Sequence, residues 1–313
     1  MTTKSIMYHY VRPADQKQPN LFYLNFDDFR RQLDFFERTF GIVSRAQWKS
    51  ALSDPQALPE GVILTFDDGL MDHYQYVGPE LKSRGLWGIF YVSTDTLLRQ
   101  NMLNVHRVHY LLGRFGGPTV LKSLEKLLDD SLFIDGFLEN LSAKPYTMQS
   151  MDESSLSVKK IVNYALKPEC KDNVLGSLFG ELAGEESLIA QSLYMNGAQI
   201  CEMADAGFTF GAHGASHNLL TKFSNSQLHY EVTGSCQTLN KLLREPAQTF
   251  CYPYGGPDSW NENVLEMLRK QKINYGFCVE PKDILSDDLK ERPLTLPRYD
   301  CNEFPFGQSR NSQ

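Results

Sequence analysis

The sequence predicts an α/β fold in which a mainly parallel sheet, or a barrel, carries helices on its outside. Three observations predict it. Short apolar runs such as VILTF, LWGIFYVST and FTFGAH alternate with amphipathic stretches along most of the chain. Several of these runs end abruptly in polar loops, the place where barrel enzymes gather their chemistry. One long region, from about Arg99 to Tyr194, breaks the rhythm and carries little strand signal.

In order along the chain, SIMYHYV reads as the first strand. NFDDFRRQLDFFERTFG is a helix: Asn25 caps it, acidic residues fill its first turn, Gly41 stops it, and Phe29, Leu33, Phe36 and Phe40 form its apolar face. A short IVS strand and a helix from Arg45 to about Leu52, capped by Ser44, come next. After the VILTF strand, HYQYVGPELKSRG is a helix closed by Gly85, followed by the LWGIFYVST strand. Beyond the break, NGAQICEMADAG, SNSQLHYEVTGSCQTLNKLLRE and NENVLEMLRKQK read as helices between the strands FTFGAH, AQTFCYPY and INYGFCVE.

Within the break, VLKSLEKLLDDSLF, SSLSVKKIVNYAL and DNVLGSLFGEL look helical. With no internal repeat or low-complexity linker, the expectation is one domain over residues 1–313 with a helical insertion at about 99–194. Such an insertion is a candidate lid or substrate-selecting cover.

Composition narrows the function classes. A hydrophobic content of 42% belongs to a packed protein rather than a disordered one. A net charge of -7 without a basic stripe argues against a nucleic-acid partner. No stretch approaches a membrane span, and MTTKSIMYHYVRP lacks the apolar core of a signal peptide, so a cytoplasmic location is expected. Cys170, Cys201, Cys236, Cys251, Cys278 and Cys301 are far apart with no CxxC pair, and are expected as buried thiols rather than disulfides or a zinc knuckle.

The chemistry concentrates in three loops. In VILTFDDGLMDHY, Asp67 and Asp68 follow a buried strand, although adjacent carboxylates repel unless something positive sits against them. Alone, DDG is most simply a turn. In FTFGAHGASHNLL another apolar strand ends in His213, with His217 four residues later, and two imidazoles so placed can converge on one metal ion. The plainer reading is a pair of loop histidines bonded to carbonyls. Two histidines and one carboxylate suit Zn²⁺ or another divalent transition metal. With Asp68 on the metal, Asp67 stands beside it as a base, and the paired charges become tolerable. In TFCYPYGGPDSW, the stiff loop after Pro253 offers backbone N–H groups to a developing oxyanion, though such a turn is commonly only a turn.

TFDDG, the HGASH histidine pair and YPYGG, in this order, resemble the leading motifs of the polysaccharide deacetylases, the NodB-homology or carbohydrate esterase family 4 group. The resemblance covers roughly Ile6 to Thr94 and Gly197 to Tyr299. It implies a distorted (β/α) barrel that removes acetyl groups from sugars with a divalent metal: zinc foremost, cobalt or nickel otherwise. By position it implies Asp67 as general base, Asp68, His213 and His217 as metal ligands, and the backbone N–H of Tyr254 as an oxyanion donor. Two departures stand out. The family often has an Arg two residues before the Pro of its third motif, where this chain has Cys251; Arg298 in LPRYD is the candidate substitute. No histidine follows His229 to supply the late acid histidine. His9, in MYHYV at the end of the first strand, is the best-placed replacement. His106 and His109, three apart on one helical face, are alternatives, and His73 and His229 fall in helix patterns that favour a surface role.

The resulting expectation is a metal-dependent hydrolase acting on an acetylated sugar or oligosaccharide, nucleotide- or lipid-linked if the site is cytoplasmic. A metal-dependent glycosyltransferase fits less well, because Mg²⁺ or Mn²⁺ on diphosphates prefers oxygen ligands. A degenerate barrel that binds glycans without turning them over is the non-enzymatic alternative, supported by the missing late histidine.

Overall fold

Seven parallel strands build the framework that positions the loops singled out above. The computed structural model describes residues 2–99, 101–134 and 151–311. The strands in chain order are β1 (Thr3–Tyr8), β2 (Val11–Arg12), β3 (Leu24–Asn25), β4 (Gly61–Phe66), β5 (Ile89–Val92), β6 (Thr209–Ala212), β7 (Thr249–Cys251), β8 (Tyr275–Phe277) and β9 (Tyr299–Asp300). β2 and β3 pair with each other, and the remaining seven lie in the order β8-β7-β6-β5-β4-β1-β9, every pairing parallel. All belong to one compact unit, made of Met1–Pro13, Tyr23–Gln100 and Ala190–Arg310.

Both faces of this sheet are covered, which is why its central strands read as unbroken apolar runs. Alternation along each strand sorts the side chains. Phe66, Phe90, Phe210 and Phe250 join one cluster, with Phe66 stacked 4.8 Å from Phe90 and Phe90 5.6 Å from Phe210. Ile63, Ile89, Tyr91, Cys251 and Phe277 join another with Trp48. The first cluster takes in Phe29, Leu33 and Phe36 of the helix Phe26–Thr39, with Phe40 packed against it, as the helical spacing predicts. Asn25 caps that helix by accepting the Asp27 N–H. The helix Arg45–Ser53 begins with the Ser44–Gln47 capping box.

The predicted elements hold with some differences. The IVS strand shrinks to a single parallel bridge between Ile42 and Val62. The stretch after Asp72 opens as a wide π-helical turn, His73–Val77, before the helix Gly78–Ser83. β9, unforeseen in the sequence, closes the sheet. Leu296 bridges in parallel to Phe277 of β8, and two residues further on Tyr299 and Asp300 pair with Ile6 and Met7 of β1. One short segment thus joins the two ends of the sheet into a distorted barrel, and Arg298 lies within it.

The second unit comprises Ala14–Phe22, Asn101–Ile189 and Asn311–Gln313. Its helices include Asn104–Phe115, Gly117–Glu125, Glu153–Lys160 and Pro168–Ala183, packed through Val108, Leu111, Val120, Leu124, Val158, Leu175, Leu178 and Phe179. The buried Arg107 there is paired with Glu186 (2.9 Å) and Asp172. Among the described residues no helix is long and apolar enough to cross a membrane. All six cysteines are free thiols. Four are buried as expected, whereas Cys170 and Cys201 are half-buried, because each sits on a helix flank partly turned to solvent.

Candidate metal centre

Asp67 is the first residue after β4, and its N–H donates to the Tyr8 carbonyl of neighbouring β1 (2.9 Å). Asp68 turns sharply, with a φ of 76° in the left-handed region that aspartate tolerates better than most residues. That turn sends the two adjacent carboxylates to different partners. His213 follows β6, with its N–H on the Val92 carbonyl (2.9 Å). β5 lies between β4 and β6, so the two motifs sit at the ends of alternate strands. His217 completes the loop with a φ of 57°.

Asp68, His213 and His217 converge, their ligand atoms all within 4.8 Å of one another and all three side chains buried. Asp68 Oδ1 is 3.5 Å from His213 Nε2 and 3.4 Å from His217 Nε2. These separations are too long for good hydrogen bonds. They are close to the roughly 3.3–3.4 Å between ligands of a tetrahedral ion with bonds of about 2.0–2.1 Å. Burial pushes the His213 imidazole below its usual pKa, despite the nearby Asp67 and Asp68 charges. Its Nδ1–H donates to the Cys251 carbonyl (2.7 Å), so in the neutral ring Nε2 presents a lone pair to the Asp68 carboxylate. Two lone pairs facing each other in a buried site call for a cation between them. The donors present fit a divalent metal.

A second trio, Asp67, His213 and Cys251, is also close enough to ligate. It suits a metal less well: Asp67 is already engaged by a cation, and burial holds the Cys251 thiol well above its usual pKa, in the protonated form.

That cation is Arg298. Its Nη1 and Nη2 donate to Asp67 Oδ1 (2.9 Å) and Oδ2 (2.8 Å), Nη1 also to Thr65 Oγ1 (3.0 Å), and Nη2 to Cys251 Sγ (2.8 Å). The guanidinium carbon lies 5.9 Å from both the Tyr91 and Phe277 ring centroids. Arg298 is not a solvated surface group: it is 1% exposed. Burial alone would raise the Asp67 carboxyl, but Arg298, helped by His213, holds it down at about 2.

With that geometry in view, residues 184–279 match the family model for polysaccharide deacetylase. Over that segment, which carries His213, His217 and Tyr254 and is less than half of the chain, the sequence is similar to polysaccharide deacetylases. Solved structures share its fold across nearly its whole length. A Streptococcus pyogenes deacetylase, PplD, in complex with acetate, is 17% identical, with a TM-score of 0.58 over 96% of this chain and 92% of that one. A de-N-acetylase from Aggregatibacter actinomycetemcomitans is 14% identical (TM-score 0.55, 95% and 94% covered). IcaB from Ammonifex degensii is 16% identical (TM-score 0.54, 95% and 90% covered). No curated protein matches the sequence.

The barrel also contains a support that sequence reasoning missed. Glu231, buried in a helix pattern, turns its carboxylate onto the HGASH loop: Oε2 accepts from the backbone N–H of Ala215 (2.9 Å) and Ser216 (3.0 Å), and Oε1 from the Ser216 hydroxyl. Gly214, with a φ of 71°, leaves room for it, since a Cβ there would lie 3.2 Å from Oε2. The available signal was a glutamate between the core residues Leu228 and Val232, where a charge needs a reason to be buried.

The remaining predicted residues are placed as follows. Tyr254 sits at the rim with its ring 5.2 Å from that of His217 and is 53% exposed. His9 lies just past β1, half-buried, with a charge interaction that reaches Asp67. His73 differs from the surface role expected of it: it is fully buried against Phe66 and Phe90, and its Nε2 bonds the His9 carbonyl (2.9 Å). Burial drives its pKa to about 4, keeping it neutral. His229 is exposed, as expected. His106 and His109 belong to the second unit, on the helix Asn104–Phe115 with rings 6.0 Å apart.

Proposed function

We propose that this chain hydrolyses an acetyl group from an N-acetylated sugar of a surface polysaccharide or its cytoplasmic precursor. The observation that carries the reading is the convergence of Asp68, His213 and His217 beside an Asp67 that Arg298 keeps ionised. Zinc is the proposed metal, since two imidazoles and a carboxylate suit it, with cobalt or nickel able to take the same donors. A divalent ion held there would polarise the acyl carbonyl and acidify water.

The protein's own groups complete the proposal. Asp67 takes the proton of the attacking water at its carboxylate, and Arg298 fixes the orientation in which it does so. The Tyr254 backbone N–H donates to the carbonyl oxygen as charge builds on it. His9 gives a proton to the departing nitrogen, so that water and amide become a free amine and acetate. A cytoplasmic location, proposed alongside, is supported by the six unpaired thiols and tested by fractionation of the source cells.

Incubating metal-loaded protein with acetylated oligosaccharides and assaying free acetate tests the reading. Acetate release that disappears with His213→Ala supports it. A protein that takes up a divalent ion, binds such sugars and releases no acetate is a glycan-binding barrel instead.

A further inference from the structure

Where the pairing of β1 with β4 stops, at Tyr8 and Phe66, side chains take over from the backbone. The segment that runs on from β4 grips the one that runs on from β1 at successive points. The Asp67 N–H donates to the Tyr8 carbonyl (2.9 Å). Next, His73 Nε2 meets the His9 carbonyl (2.9 Å), and since a carbonyl only accepts, the neutral ring carries its proton on Nε2. Asp72 Oδ2 then accepts the Val11 N–H (3.1 Å), and its two oxygens take Arg12 Nε and Nη2 at 2.8 Å each. Both gripping side chains are buried, a costly place for polar groups unless they are bonded, and their bonds go to His9, Val11 and Arg12. A buried ion pair such as Asp72–Arg12 adds little net stability but holds its geometry closely. The turn that carries His73 is π-helical over His73–Val77, a rare form that recurs at functional sites. The segment so held presents His9, whose charge interaction reaches Asp67.

We propose that Asp72 and His73 are positioning residues: together they clamp the backbone on either side of Tyr10, so that the His9 imidazole keeps a set place beside Asp67. The inference rests on the reading of His9 as proton donor and deepens it. A donor to a departing nitrogen must stand at hydrogen-bond distance, and a misplacement of about 1 Å can cost on the order of 10²-fold in rate. The loop after β4 then carries the base, a candidate metal ligand and the clamp on the donor. The distance between base and donor is thereby set within one short stretch of chain.

The test is a mutant cycle on metal-loaded protein with acetylated oligosaccharides, reading kcat, KM and bound metal. His73→Phe keeps a ring against Phe66 and Phe90 but loses the donor; it is expected to hold metal and lower kcat about 10–100-fold, with KM within about twofold. His73→Gln, whose amide can reach the same carbonyl, is expected to recover most of that loss. In a His9→Gln background, His73→Phe is expected to cost less than about twofold more, because two changes acting through one group do not add. Asp72→Asn keeps an acceptor for Val11 and drops the ion pair; it is expected to follow the same pattern, and it replaces His73→Phe should that chain not fold. Amide hydrogen exchange of metal-free protein gives a reading apart from turnover: the Val11 N–H is expected to exchange about tenfold faster in His73→Phe than in wild type, and less so in His73→Gln. With His9→Gln impaired, wild-type kcat in His73→Phe or additive losses in the cycle overturns the clamp, and unchanged Val11 exchange overturns it in any case. A His9→Gln enzyme at the wild-type rate sinks the proton-donor reading instead, and a wild type that releases no acetate sinks the hydrolase reading. In either event, Val11 exchange decides the clamp.

Discussion

Arg298 grips Asp67 with both prongs of its guanidinium, at 2.9 and 2.8 Å, across 231 positions of sequence and out of reach of solvent. In the family's motif pattern an arginine for this task stands two residues before the third-motif proline. Here Cys251 occupies that place, and its thiol touches the same guanidinium at 2.8 Å. The charge that holds Asp67 comes instead from the segment that closes the barrel.

Removing one member of such a pair leaves the other charge buried alone. Arg298→Met is expected to destabilise the fold by about 3–5 kcal/mol, and Arg298→Lys by less, since it keeps the charge but loses the fork. Denaturant unfolding of the three proteins at neutral pH checks the order. A Met variant as stable as wild type would remove the pair from the account of the site.

The same pair gives a pH signature. Asp67 is depressed to about 2 in the fold from an ordinary value of 3.8, so its stabilisation is present above about pH 4 and is lost as pH falls toward 2. Metal-free wild type should therefore lose stability more steeply between pH 4 and 2 than Asp67→Asn, which has no proton to gain. Parallel slopes in acid unfolding would contradict the assignment.

Base and ligands should separate by mutation. Asp67→Asn preserves shape and leaves Asp68, His213 and His217 in place, so bound metal should persist while turnover falls roughly 10²–10⁴-fold. His213→Ala should lose metal and turnover together. Elemental analysis beside acetate release decides it, and an Asp67→Asn enzyme at the wild-type rate overturns the role of base.

Glu231 supports the histidine loop without touching the candidate ligand atoms. Burial raises its carboxyl, while the Ser216 and Ala215 donors pull it back down. Glu231→Ala would strand two backbone N–H groups, with an expected cost of about 2–4 kcal/mol and a metal affinity roughly 10–100-fold weaker. Thermal melts and a metal titration measure both, and unchanged metal affinity would make Glu231 a purely structural brace.

The proton donor is open to a direct comparison of His9→Gln, His106→Gln and His109→Gln, each checked for retained metal. If His9 is the acid, its variant alone loses the alkaline limb of the pH–rate profile together with most turnover. A near-normal His9→Gln beside a dead His106 or His109 variant transfers the role to the second unit.

What the sequence determined was local. Unbroken apolar runs placed Asp67, Asp68 and His213 at strand ends, because a buried parallel strand must stop where its backbone meets polar loops. Helix limits at Asn25, Ser44 and Gly41 were legible for the same reason, since caps act within a few residues of the groups they satisfy. Tertiary structure alone decided which distant groups meet. Arg298 reaches Asp67 only because its segment joins β8 to β1 and closes the barrel. Glu231 faces the HGASH loop only because a helix packs there, and His73 is buried only because the turn that carries it packs against Phe66 and Phe90. Period and capping are properties of neighbouring residues, whereas closure and burial depend on the whole sheet. A charge that looks solvated in a string of letters acquires its partner only when the sheet curls round to meet it.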